Sequence, residues 1–161
     1  MRAIFNCSPL VFLVKLDMLE KALKLFDDSY IPLEVREELL KRDDKVREKV
    51  FELCSENQIK QINYKNVNLF RSLNKKLGKG ESSVIAVAIE NFSDSGIVIL
   101  DDHVARRQAT DLGLNVKGTL AIIKKLKSLK EIIVDTSDLY EKLINIGFRI
   151  KKDIFLQIFE E

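Results

Sequence analysis

Apolar positions in this chain fall into two kinds of segment, short continuous runs and longer stretches with helical spacing, and the two kinds alternate along its length. Ala3-Ile4-Phe5 is a short run of the kind found in a buried strand. It gives way to Ser8-Pro9, which reads as a helix start with Ser as cap and Pro at the first position. Helical spacing then carries through Leu10, Leu13, Val14, Leu19, Leu23 and Phe26. Ser29-Tyr30-Ile31 reads as a second strand, stopped by Pro32, which opens a helix from Leu33 to about Arg42. A longer helix over 44–56 places Val46, Val50, Leu53 and Cys54 on one face. A weak strand over 59–63 and a helix over 67–77 complete the first half.

Gly78-Lys79-Gly80 is a turn leading into a helix from Glu81 to about Phe92, and Ser95-Gly96 ends that element. Ile97-Val98-Ile99-Leu100 is uniformly apolar between turn signals, the pattern of a central parallel strand covered on both faces. The next helix, from His103 to Leu112, ends at Gly113 as its C′ residue, and Asn115-Val116-Lys117 reads as an edge strand before a helix from Leu120 to Leu129. Leu139, Leu143, Ile146 and Phe148, then Ile154, Ile158 and Phe159, predict two closing helices. This alternation predicts an α/β protein, a three-layer α/β/α sandwich on a mostly parallel sheet, with residues 1–161 forming one domain.

Composition narrows the chemistry. At 161 residues and 46% hydrophobic the chain can bury one sizeable core. Its two cysteines, Cys7 and Cys54, lie far apart, and His103 is the single histidine, so a zinc cage or disulfide framework has no support. Any metal should therefore be held by oxygen. Asn6, Ser8 and Pro9 interrupt the first apolar run, no window approaches a membrane-spanning length, and a cytoplasmic protein is expected. A net charge of +2 leaves any affinity for nucleic acid to a local basic patch.

The acids stand at element ends. On a helix, Glu81 shares a stripe with Val84, Ile85, Ala88 and Phe92, so a carboxylate occupies a position where an apolar residue belongs. Its first-turn place also complements the helix dipole. Asp101-Asp102 ends the central strand, where ligands of open parallel sheets bind, and two like charges held together call for a cation. Asp102 alone also suits a helix N-cap. Among Glu34, Glu37 and Glu38, only Glu38 falls at the border of the Val35–Leu39 buried line, about 60° from Val35, while Glu37 points to solvent. His103 reads as a surface residue of a first helical turn. Arg106, Arg107, Lys124, Lys125 and Lys127 suit either phosphate contacts or a solvated helix face.

With these residues placed, the chain resembles the PIN-domain family, and within it the prokaryotic PIN-like proteins carrying a G-x-G-E motif. The resemblance rests on Asn6-x-Ser8-Pro9-Leu10, Ile31-Pro32-x-x-Val35-x-x-Glu38-Leu39, Gly78-x-Gly80-Glu81-x-x-x-Ile85-x-x-Ala88, Asp101-Asp102-x-x-Ala105-Arg106, and Gly113-Leu114 with Gly118-Thr119. It implies an α/β/α nuclease fold and an RNA-cutting activity dependent on Mg²⁺ or Mn²⁺, often as the toxin of a toxin–antitoxin pair. Glu38, Glu81, Asp101 and Asp102 match the family's acidic, catalytic and metal-binding positions, with Asp102 the closer match to the last strand-end aspartate.

Asn6 departs from the pattern, because active PIN nucleases generally have an aspartate there. An amide can donate a carbonyl oxygen to a metal but no charge. Ser8 matches a small hydroxyl residue that accompanies the first acid, and Lys79, Arg106 and Arg107 would hold the nucleic-acid backbone. The partners implied are an RNA substrate, an antitoxin protein and a second copy in a homodimer. Two rivals follow from the same residues. One is a PIN-like module that binds RNA or protein without cutting. The other is a phosphate-transfer switch, which would need acids at the first strand end where this chain has Asn6-Cys7-Ser8.

Overall fold

The computed structural model describes residues 1–92 and 94–160. Its two innermost strands, β1 (Arg2–Phe5) and β4 (Gly96–Ile99), are four residues each, nearly all apolar, and pair in parallel with Phe5 opposite Ile99. Strand β2 (Asp28–Ile31) flanks β1, and the short strands β3 (Lys60–Gln61) and β5 (Val116–Lys117) close the edges. The order is β3-β2-β1-β4-β5, parallel throughout. Edges of two residues leave little unpaired backbone exposed.

Helices cover both faces, giving the expected three-layer α/β/α sandwich. They are α1 (Cys7–Lys15), α2 (Leu19–Leu23), α3 (Leu33–Leu40), α4 (Lys45–Ser55), α5 (Val67–Asn74), α6 (Lys79–Asn91), α7 (His103–Asp111), α8 (Thr119–Ser128), α9 (Thr136–Asn145) and α10 (Lys152–Glu160). None is long and apolar enough to cross a membrane.

Three boundaries differ from the hydrophobic pattern. Asn6, not Ser8, is the N-cap of α1, so Pro9 falls third in the helix, where its missing N–H would have no intrahelical partner anyway. The spacing from Leu10 to Phe26 conceals two helices, because Asp17 takes a left-handed backbone (φ 58°) that breaks the run. Helix α6 begins at Lys79, two residues before Glu81. Gly113 does follow α7 in the left-handed region, at φ 85°, as its position predicts.

Helix α6 also differs in what it buries. Every residue from Ser82 to Ala88 is buried, because α6 lies against β1 and β4 and is itself covered by α3, α5 and α7. A helix enclosed on all sides has no single apolar stripe. The stripe shared by Glu81 therefore marks its direction less strongly than the spacing suggests.

Side chains alternate across the sheet. Ile4, Tyr30 and Val98 are in register and face α6, where Tyr30 meets Phe92 at 5.7 Å between ring centroids. Phe5, Ile97 and Ile99 face the other way, where Phe5 meets Phe26 edge-on at 5.9 Å and Ile97 and Ile99 line a groove with Ala121 and Ile122 of α8. This parity decides where the strand-end residues go.

Candidate active site

The chain runs outward from β1 to β2 and β3, then returns to place β4 on the opposite side of β1. The crevice at such a reversal, beyond the carboxyl ends of the two strands, is the usual ligand position in open α/β sheets. Asn6 follows β1 there, and its N–H donates to the Ile99 carbonyl at 3.0 Å. By alternation its side chain shares the face of Ile4, toward α6.

Asn6 is only 4% exposed, and its side chain does not cap α1. An N-cap asparagine normally accepts from the N–H of the second or third helical residue. Here the third is Pro9, which has none. The Oδ1 atom is left buried with no hydrogen-bond partner, one of two such side-chain atoms among the described residues, the other being Ser82 Oγ. Leaving a buried acceptor unsatisfied costs about 1–3 kcal/mol, so this atom marks a place that something polar or cationic would fill.

Glu38 reaches the same spot from α3. A methyl group built on Gly80 would lie 2.6 Å from Glu38 Oε1 and 2.9 Å from Asn6 Oδ1, so the two oxygens converge where the second residue of α6 lacks a side chain. Glu38 as a residue is exposed, yet its carboxyl pKa is raised, first by burial of the carboxyl end and next by the charge of Glu81. The Cys7 thiol, Lys41 and the Gly80 amide pull it back down.

Glu81, the third residue of α6, folds its carboxylate back over Gly78, the N-cap. That is the posture of a capping-box glutamate, and it places the charge at the positive end of the helix. Glu81 thus stands at the positive end of α6, as its first-turn place predicts, and its charge acts on Glu38.

Asp101 goes elsewhere, and register explains why. Phe5 lies opposite Ile99, so Asn6 falls opposite Leu100, and Asp101, one residue further, takes the other face. There Oδ1 accepts from the Thr119 N–H at 2.8 Å and Oδ2 from the Thr119 hydroxyl at 2.6 Å. The carboxylate thus caps α8, whose own N-cap is Gly118. A methyl on Gly118 would lie 2.9 Å from Asp101 Oδ1 and 3.1 Å from Arg106 Nη1, so this glycine makes room for both. Burial raises the Asp101 pKa, while the Thr119 hydroxyl and amide, then Arg106, oppose the rise. Asp102 is the N-cap of α7, with Oδ2 accepting from the Ala105 N–H at 2.9 Å.

Residues 2–161 match the model of the DUF3368 family, described as a PIN domain. The chain belongs to the PIN-domain family. No curated protein matches it. Membership supports the nuclease character that the resemblance implied, and PIN domains generally depend on a divalent metal.

In this PIN domain the oxygens of Asn6, Glu38 and Glu81 fit such an ion in kind. One is a buried acceptor without a donor, and the repulsion between the two carboxylates is relieved by a cation. Their number is small. Among the described residues no three histidine, cysteine, aspartate or glutamate side chains stand close enough to hold a metal by themselves. The Asn6 amide and water would have to complete the shell.

Of the remaining expected residues, Ser8 is half-buried in the first turn of α1, and Lys79, Arg106 and Arg107 are exposed around the starts of α6 and in α7. His103 is exposed in the first turn of α7, as expected. Cys7, Gly80 and Thr119 did not stand out in the sequence as site residues. Cys7 lies beside Glu38, and its thiol pKa is pushed up to about 12, mainly by burial and then by the Glu38 charge. The only signal for it was adjacency to Asn6 at the strand end.

Proposed function

We propose that this PIN domain is a metal-dependent endoribonuclease acting in the cytoplasm, with Asn6, Glu38 and Glu81 holding Mg²⁺ or Mn²⁺ and Asp102 adding its charge from the head of α7. The reading is carried by Asn6 Oδ1, a buried unpartnered acceptor that meets Glu38 Oε1 over Gly80 at the sheet's switch point. A divalent ion bound there would supply an activated water and neutralise charge developing on the phosphate. The chain's own residues do the rest. Glu38 and Glu81 would hold the ion and orient its water, Lys79, Arg106 and Arg107 would hold the phosphate backbone without reading sequence, and Asp101 fixes α8 against β4. An antitoxin protein as inhibitor and a homodimer fit the same reading.

The direct test incubates the purified chain with end-labelled single-stranded RNA in Mn²⁺ or in chelator. Cleavage should require the ion and fall at least about 100-fold in Glu38→Gln and Glu81→Gln. The second reading, a PIN-like module that binds RNA or a protein without cutting, is favoured by one observation. The first strand end carries an amide in place of a charge. RNA retention that is the same with chelator, with no cleavage in either condition, would select it.

A further inference from the structure

We propose that the Tyr64–Phe70 ring pair is a stacking platform for an unpaired base of the RNA strand, so that single-stranded RNA is engaged through a base as well as through its phosphates. The proposal rests on the RNA reading above and extends it to what the protein touches besides the backbone. The two rings lie face to face, with centroids 4.6 Å apart and planes 7° from parallel. The other aromatic pairs among the described residues are tilted or edge-on, so this pair alone presents the parallel π-faces that a base would continue. Both rings are only half-buried. Val67, 48% exposed, shares a face of α5 with Phe70 three residues on, which widens the apolar surface left to water.

Hydrogen bonds fix the platform and its place. Asn63, the residue before Tyr64, accepts at Oδ1 from the Leu33 N–H at 3.2 Å, which ties the loop to the head of α3. On the other side of Tyr64 the Glu90 carboxylate accepts from the Lys65 and Asn66 N–H groups at 2.6–3.0 Å, and Asn66 caps α5. A loop fastened at both ends holds the ring before any ligand arrives, which lowers the ordering cost of binding. Glu38 lies five residues beyond Leu33, about 7.5 Å along the α3 axis. A strand with one phosphate at the acids therefore runs past the platform within a few nucleotides. Each ring is followed in the chain by an exposed cation, Lys65 after Tyr64 and Arg71 after Phe70, which favours a polyanion over an apolar protein surface as the occupant. Aromatic faces flanked by cations are how proteins hold single strands, and because every base has a π-face the platform selects for unpaired RNA without selecting its sequence.

The chain has no tryptophan, so Tyr64→Trp installs a single indole as reporter. Labelled oligoadenylate is titrated with the full chain in chelator, to prevent cleavage, and again in Mn²⁺, and binding is read by anisotropy. The indole of Tyr64→Trp should be quenched as the oligonucleotide binds, and a sugar–phosphate strand of the same length without bases should leave its emission unchanged. Tyr64→Leu, which keeps apolar bulk but has no π-face, should bind at least about fivefold more weakly, while Tyr64→Phe and Tyr64→Trp keep the affinity. Because wild type and Tyr64→Trp decide the matter between them, the test survives a Tyr64→Leu variant that folds poorly. Binding by wild type with an indole that does not respond, quenching by the base-free strand, or undiminished affinity in a folded Tyr64→Leu overturns the platform and leaves the RNA reading standing. Failure of wild type to bind the oligonucleotide in either condition overturns the platform together with the RNA reading.

Discussion

Replacing Thr119 with valine tests whether Asp101 is an anchor for α8 or a free carboxylate. The side chains are nearly isosteric, and only the hydroxyl that donates to Asp101 Oδ2 at 2.6 Å is removed; the Thr119 N–H still donates to Oδ1 at 2.8 Å. Thr119 is fully buried, so water cannot replace the lost donor at that side. A hydrogen bond to a charged acceptor contributes about 1.5–3 kcal/mol. For a chain of this size that is a fall in melting temperature of about 3–12 °C.

The penalty should depend on pH with a definite sign. Burial raises the folded pKa of Asp101 above its unfolded value, so this group's contribution to stability is fully present below the unfolded pKa and is lost as pH rises through the folded one. Thr119→Val removes a bond that lowers that pKa and so raises it further. The variant's deficit is therefore largest at neutral pH and shrinks on acidification through the carboxylate range. In an Asp101→Asn background the same substitution should cost much less, a coupling of about 1–2 kcal/mol in a double-mutant cycle. Thermal melts of the four proteins at neutral and acid pH measure all of this. A deficit that is unchanged in the Asp101→Asn background, or that grows as pH falls, would refute the anchor and return Asp101 to the list of available metal ligands.

Glu38→Gln should raise the melting temperature of the metal-free protein by about 1–3 °C at neutral pH, through loss of repulsion from Glu81 and of carboxylate burial worth a few tenths to about 1 kcal/mol. Because the Glu38 pKa is raised, that advantage should disappear in melts below its unfolded value of about 4.3. With Mn²⁺ at about 100 times its dissociation constant, wild type should gain roughly 2.7 kcal/mol, or about 5–11 °C, and a flat melting curve in Mn²⁺ would deny the site. Gly80→Ala should cut that gain by at least half while leaving the metal-free protein close to wild type, since better helix propensity, about 1 kcal/mol, offsets displacement of the Glu38 carboxyl. Asn6→Asp should tighten Mn²⁺ about tenfold, near 1.4 kcal/mol, by isothermal titration and increase RNA cleavage; lost cleavage in a well-folded Asn6→Asp would make the amide itself a requirement.

Much of this was written in one dimension. Short apolar runs located β1, β2 and β4, helical spacing located nearly every helix, and Gly113 marked the end of α7, because burial and backbone conformation act residue by residue. Glu38 could be selected for the same reason, since the geometry of α3 separates a boundary position from a solvated one, whereas the stripe that singled out Glu81 lost its meaning once α6 was enclosed. What the sequence could not contain was the register between strands distant in the chain. A shift of one residue turns a side chain to the other face of a sheet, and that single step sends Asn6 toward α6 and Asp101 to α8, although both read equally well as strand-end ligands. The same holds for the enclosure of α6 by three other helices and for the meeting of Asn6 with Glu38 over Gly80. Those relations arise only when elements far apart in sequence pack against one another, and no local periodicity carries them.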